Sequence, residues 1–183
     1  HIPASQRTRH TRATVNMGKS DIADIGSMLA AQYNENSNDA SRVKIVSVPK
    51  PQPEPGLAVV RVHAAASNPI DYKVMGGYLK GAGWAMPLPF TPGYDFSGEV
   101  SALDDPDANG NVRVGDEVFA VNWGQGQHDE NGVPSVGGAF AQYIKIPLSR
   151  LSLKPPGISH AEAAAVSLVG STAYQALFNH LRI

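Results

Sequence analysis

Among its 183 residues the chain has no cysteine. That absence removes disulfide scaffolds, thiolate zinc sites and a cysteine nucleophile together. Positive charge is not in excess either. Lys and Arg number 15 against 16 Asp and Glu, a formal net charge of −1, so the basic surface that nucleic acid phosphates demand is missing. No apolar run approaches the ~20 residues that span a bilayer. None of the six histidines belongs to a His-x-x-x-His pair, and His128-Asp129-Glu130 reads as a polar loop rather than a metal site. No Gly-x-Ser-x-Gly elbow places a nucleophilic serine. Gly124-Gln125-Gly126 is not a phosphate loop, because no helical pattern follows it.

What is present is turn chemistry and β-branched runs. Eighteen glycines and 14 prolines exceed average usage and favour a strand-rich domain over a helical bundle. A hydrophobic content of 42% is enough for a core. Residues 1–20 carry Arg7, Arg9, Arg12 and Lys19 and no acid. A stretch of this kind is either a disordered leader or part of an organellar targeting segment. The expected organisation is therefore a basic leader over 1–27, a compact β domain over 28–158 and a helical segment over 159–183.

Met28 to Tyr33 and Val43 to Val48 are expected to pair as a hairpin around a polar, Asn-rich turn. Pro49, Pro51, Pro53 and Pro55 then remove four backbone donors in alternation, which excludes a central strand. Leu57 to Ala65 is a strong strand, with His63 read as a partly buried structural histidine. Ser67-Asn68-Pro69-Ile70-Asp71 has a polar cap, proline at the first helical position and an acid in the first turn, a helix-start signal. Gly76-Gly77 stops that helix. A Gly/Pro-rich loop with Tyr78, Trp84 and Phe90 follows, and its aromatic content points to a segment that folds over something. Further strands are expected at Gly98 to Leu103, Asp116 to Val121, Ala139 to Ile146 and Leu151 to Leu153. A long polar loop spans Asn122 to Gly138. Ser159-x-x-Glu162 is a capping box before an Ala-rich helix, expected to run to about Leu168, pause at Gly170 and restart near Ser171-Thr172.

Two clusters carry the chemistry. Asn68-Pro69-Ile70-Asp71-Tyr72-Lys73 is explained by helix capping alone, yet a loop-to-helix junction also aims side chains into a cleft. In Thr91-Pro92-Gly93-Tyr94-Asp95-Phe96-Ser97-Gly98, an acid between two aromatics is costly to bury alone. Asp95 therefore needs a partner, structural or catalytic.

Taken in order, several pieces resemble the N-terminal half of a medium-chain dehydrogenase/reductase, in the zinc-free quinone reductase and enoyl reductase branch. They are Pro55-Gly56 before Val59-Val60-Arg61-Val62, the two clusters above, Val114-Gly115-Asp116-Glu117-Val118-Phe119 and Gly138-Ala139-Phe140-Ala141-Gln142-Tyr143. Lys154-Pro155-Pro156 and Glu162-Ala163-Ala164-Ala165 through Thr172-Ala173-Tyr174-Gln175-Ala176-Leu177 complete the series. The resemblance covers about residues 28 to 183. It implies a mainly β fold with short helices, a GroES-like β-barrel that binds substrate against a Rossmann domain holding NADPH. The zinc members carry Cys early in the first helix and Gly-His-Glu in the later turn. Here those places hold Asn68-Pro69-Ile70-Asp71 and Gly93-Tyr94-Asp95, so no metal is expected.

By the same resemblance Asn68 and Thr172 bind the cofactor near its nicotinamide. Tyr72 and Lys73 bind or polarise the substrate carbonyl. Tyr78, Trp84, Phe90 and Tyr94 wall the pocket. The implied substrate is a small quinone or α,β-unsaturated carbonyl, which hydrogen bonds can activate without a Lewis acid. The Gly-rich pyrophosphate loop of the family follows the Thr-Ala-Tyr helix. It is not reached here, so the NADPH site is expected to be incomplete in this chain. The alternative is a non-catalytic relative serving as a subunit of a larger assembly. Family members commonly dimerise through the other half. Expected localisation is cytoplasmic, or organellar if the basic stretch is a targeting segment.

Overall fold

The computed structural model describes residues 26–82, 86–105, 112–122 and 138–182. Most of the basic leader, Trp84, His128-Asp129-Glu130 and nearly all of the long polar loop lie outside the described residues. The fold is mostly β with two helices. A hairpin of β1 (Ser27–Gln32) and β2 (Lys44–Pro49) pairs antiparallel, from Ser27↔Pro49 to Gln32↔Lys44. The main sheet contains β3 (Leu57–Ala66), β4 (Asp95–Leu103), β5 (Glu117–Val121), β6 (Tyr143–Pro147) and β7 (Ser152–Leu153). Its order is β6-β3-β4-β5-β7, antiparallel throughout. Helix α1 (Pro69–Met75) lies between β3 and β4, and α2 (His160–Tyr174) follows β7.

The core follows from the β-branched runs. Ala58, Val60, Phe96, Val100, Val118, Ile144 and Ile146 form one buried cluster between the strands. Burying a side chain of the Val, Ile or Phe class stabilises by roughly 1.5–3 kcal/mol. A smaller cluster of Tyr33, Val74, Met75 and Phe90 seats α1 against the hairpin. β3 is buried on both faces over Leu57 to Val60 and then opens to solvent. Its register against β4 shifts twice, between Val59 and Val60 and between Val62 and Ala64. Gly98 sits at that irregularity. A Cβ there would approach the Arg61 carbonyl oxygen to 2.1 Å, so only glycine lets the strands come this close.

Three expectations are revised. Among the described residues no ladder closes the main sheet on itself, because β7 pairs through only Val118↔Leu153 and Phe119↔Ser152. The hairpin instead docks through the isolated bridges Ala30↔Ala141 and Tyr33↔Phe90. The strand expected from Ala139 begins only at Tyr143. Backbone groups before it cross to other segments: Ala139 N–H donates to Gly93, Phe140 N–H to Pro92 and Gln142 N–H to Leu29. Helix α2 does not pause at Gly170. It continues to Tyr174 and widens into a π-helical turn over Gln175–His180. The Ser167, Ser171 and Thr172 hydroxyls donate to the carbonyls of Ala163, Ser167 and Leu168. Spent inside the helix, they no longer compete with its backbone for a break. Small Ala163, Ala164 and Ser167 are the buried residues of α2, which packs on β3, β4 and β5.

Candidate active site

The candidate site is built where α1 begins beside the first residue of β4. Asn68 is extended (φ −129°, ψ 160°) and Pro69 opens the helix. Asp71 reaches back so that its Oδ2 accepts the Asn68 N–H at 2.7 Å, one half of a capping box. Its Oδ1 accepts the Gly93 N–H at 3.0 Å. One carboxylate thus clamps the α1 start to the turn before β4. The Asn68 side chain donates from Nδ2 to Asp95 Oδ2 at 2.9 Å. The Leu168 N–H of α2 donates to Asp95 Oδ1, also at 2.9 Å. The expectation that Asp95 needs a partner is met twice.

Burial governs the protonation of this cluster. Asp95 is fully buried, and desolvation pushes its carboxyl up, against the bonds from Asn68 and Leu168 that favour the anion. Asp71 is pushed up to about 6, by burial first and by the neighbouring Asp95 charge, with its two N–H bonds opposing. Nearby Tyr33 is raised to about 12 by burial and the Asp71 charge, and Tyr94 is raised by the same causes. The site holds two carboxyls and two phenols in a water-poor setting, all biased toward their protonated forms.

The other expected site residues are spread out. Tyr72 and Lys73 lie on the exposed side of α1. Tyr78 is a surface residue whose hydroxyl accepts from Asn38 Nδ2 at 2.8 Å. Phe90 is buried edge-on against Tyr33, their ring centres 5.7 Å apart, and Tyr94 is wholly buried. Among the described residues, Phe90 and Tyr94 therefore sit in the protein interior and Tyr78 on the surface. Thr172 is exposed on α2, its hydroxyl donating to the Leu168 carbonyl at 2.8 Å. An open groove of about 510 Å³ runs beside this helix, lined by residues including Phe119, Val166, Gly170, Ser171 and Tyr174. Reading the sequence did not single out Tyr33 or the Leu168 N–H. The signal for Tyr33 was a tyrosine closing an apolar strand; a backbone donor 73 residues from its acceptor leaves none.

A second constellation has the outline of a hydrolytic triad. His160 Nδ1 is 2.7 Å from Ser97 Oγ, and its Nε2 is 3.0 Å from Glu117 Oε1. Yet Ser97 is fully buried and its hydroxyl also donates to the Val118 carbonyl at 2.8 Å, so no substrate carbonyl can reach it. The imidazole of His63 stacks on His160, centroids 4.5 Å apart and planes within 11°. These groups fasten α2 to the sheet. Among the described residues no three His, Asp or Glu side chains are placed to hold a metal ion, and no helix is long and apolar enough to cross a membrane.

Comparison with known proteins agrees with this architecture. Residues 54–156 match the alcohol dehydrogenase GroES-like domain. A chloroplastic quinone-oxidoreductase homolog of Spinacia oleracea is 33% identical over 150 residues, covering 82% of this chain and 42% of the relative. A trans-enoyl reductase of Pyricularia oryzae is 32% identical over 149 residues, covering 80% of this chain and 38% of the relative. The structure of a quinone oxidoreductase from Coxiella burnetii superposes with a TM-score of 0.67 at 32% identity, over 84% of this chain and 45% of that one. A GroES-like domain is the class that the fold and these matches define. The chain belongs to the alcohol dehydrogenase GroES-like family, and the relatives it matches are quinone oxidoreductases and a trans-enoyl reductase. It spans less than half the length of these relatives.

Proposed function

We propose that this chain is the substrate-binding part of an NADPH-dependent oxidoreductase that reduces quinones or α,β-unsaturated carbonyls without a metal ion. The observation that carries this reading is the buried Asn68–Asp95 hydrogen bond. In the zinc members the matching places supply metal ligands. Here an amide hydrogen points at the carboxylate, so the pair satisfies itself.

NADPH, when bound, supplies the hydride. Of this chain's residues, Asn68 and Thr172 fit its nicotinamide end. The Thr172 hydroxyl spends its hydrogen on Leu168, which leaves its oxygen able to accept from a carboxamide. Tyr72 and Lys73, exposed on α1, are the donors that hold a substrate carbonyl oxygen and stabilise its developing negative charge. That charge needs less help on a quinone or enone oxygen than on an alkoxide, which is why hydrogen bonds can replace a Lewis acid. The chloroplastic spinach relative makes an organelle the first place to look for this protein.

The test is NADPH oxidation by the complete protein against a panel of quinones and enones, with and without chelator. Turnover that survives the chelator is expected. Chelator-sensitive turnover would refute metal-free chemistry, and no turnover on any acceptor would favour a non-catalytic subunit. Asn68→Ala should lower kcat/KM for NADPH by about tenfold, the equivalent of one directed hydrogen bond. An unchanged value removes Asn68 from the site.

A further inference from the structure

The two residues assigned to the nicotinamide belong to different elements, Asn68 at the start of α1 and Thr172 near the end of α2. Three hydrogen bonds, linked through the backbone of Leu168, join them. Asn68 Nδ2 donates to Asp95 Oδ2 and the Leu168 N–H to Asp95 Oδ1, each at 2.9 Å. The Thr172 hydroxyl donates to the Leu168 carbonyl at 2.8 Å. We propose that Asp95 is a positioning residue, which holds the Asn68 amide and the Leu168–Thr172 turn in one fixed relation so that both meet the same nicotinamide. This rests on the NADPH reading above and adds to it the group that sets the geometry.

Three features argue for positioning. Each Asp95 oxygen is bound to a different element, so the side chain cannot rotate without losing one of them. It is 0% exposed, and no bulk water is at hand to take over either bond. A carboxylate only accepts, so the Asn68 amide must turn its NH2 toward Asp95, which dictates where its Oδ1 lies. Asp95 touches no solvent and therefore acts through Asn68 and Leu168, not on substrate.

The decisive experiment is Asp95→Asn in the complete protein, in the unaltered background and beside Asn68→Ala. The substitution keeps the shape but sets NH2 against one of the two donors. Asp95→Asn alone should raise KM for NADPH about tenfold while changing KM for the quinone less than about twofold. Added to Asn68→Ala, it should raise KM for NADPH by clearly less than it does alone, because one of the two groups it acts through is gone. Equal, additive losses in the two backgrounds, or equal losses for both substrates, would make Asp95 a general structural pin and overturn the proposal.

Should Asp95→Asn fail to fold, the unaltered protein decides. Titration with NADPH should shift the NMR signals of the Asn68 side-chain amide and the Leu168 backbone amide together, with one midpoint. An Asn68 shift with Leu168 unmoved overturns the proposal and leaves the cofactor reading standing. No binding of NADPH overturns both.

Discussion

Two polar clusters in this molecule use similar residue types at opposite ends of the solvent scale. Around the α1 start, the Asn68 side chain donates to Asp95, and Asp71 and Asp95 together accept from three backbone N–H groups, with almost no exposure. At the α2 start, Glu117 pairs with Lys154 and His160, each at 3.0 Å, with the Glu117 side chain 54% exposed. The carboxyls respond in opposite directions. Asp71 and Asp95 are pushed up, desolvation being the largest cause. Glu117 is pulled down, the hydrogen bond from Lys154 being the largest. His63, beside that second cluster, is lowered by burial and by the neighbouring His160 charge. The comparison teaches that a partner's identity matters less than water's access. Where water is excluded, hydrogen bonds fix geometry while desolvation discourages charge; where it is present, ion pairs fasten surfaces loosely and are replaceable.

This contrast can be broken by measurement. Asp95→Ala strands two buried donors, and the loss should be about 4 kcal/mol at roughly 1–3 kcal/mol per orphaned group. A loss below about 1 kcal/mol in urea denaturation would erase the distinction. Asp71 sharpens it through pH. Its native pKa, about 6, lies above its ordinary value of 3.8, so the native state binds this proton more tightly. The stability it contributes is complete below about pH 4 and is lost as pH rises through about 6, an amount on the order of 3 kcal/mol. Asp71→Asn should remove that component, seen as a stability difference from the unaltered protein that changes between about pH 4 and pH 6 and is flat above. A pH-independent difference would contradict the raised pKa. In the exposed cluster, Glu117→Gln should lower the thermal midpoint slightly at low salt, with the gap closing as salt is added. The smallest effect belongs to Arg61→Ala, which removes an exposed pair with Glu99 at 3.2 Å and should change stability by less than about 0.5 kcal/mol.

Local features are legible in the sequence. Asn68-Pro69 and Asp71 announced α1 because capping is settled within four residues, and Ser159 with Glu162 announced α2 in the same way. The need of Asp95 for partners was also legible, since an acid between aromatics must be satisfied if buried. Which partners was not, because Asn68 and Leu168 lie 27 and 73 residues away. Gly170 misled for a related reason. Its local preference is to end a helix, but side-chain hydroxyls before and after it bind within α2 and packing on the sheet carries the helix through. The aromatic-wall expectation rested on residue type, which does not say how deep each ring lies. Phe90 and Tyr94 went into the interior, where their area stabilises the fold, and Tyr78 stayed on the surface.

One feature of the hairpin bears on how the protein behaves at high concentration. Among the described residues β2 has β1 as its only ladder partner, and its Ile45-Val46-Ser47-Val48 core is the kind of sticky, uncharged stretch that recruits a neighbouring molecule. Lys44 stands at one end and Pro49 at the other, with Pro51, Pro53 and Pro55 following. The charge repels an incoming copy, and the prolines deny it a continuous row of donors. The same residues that keep this margin from lengthening inside the fold thereby guard it against templated self-association between molecules.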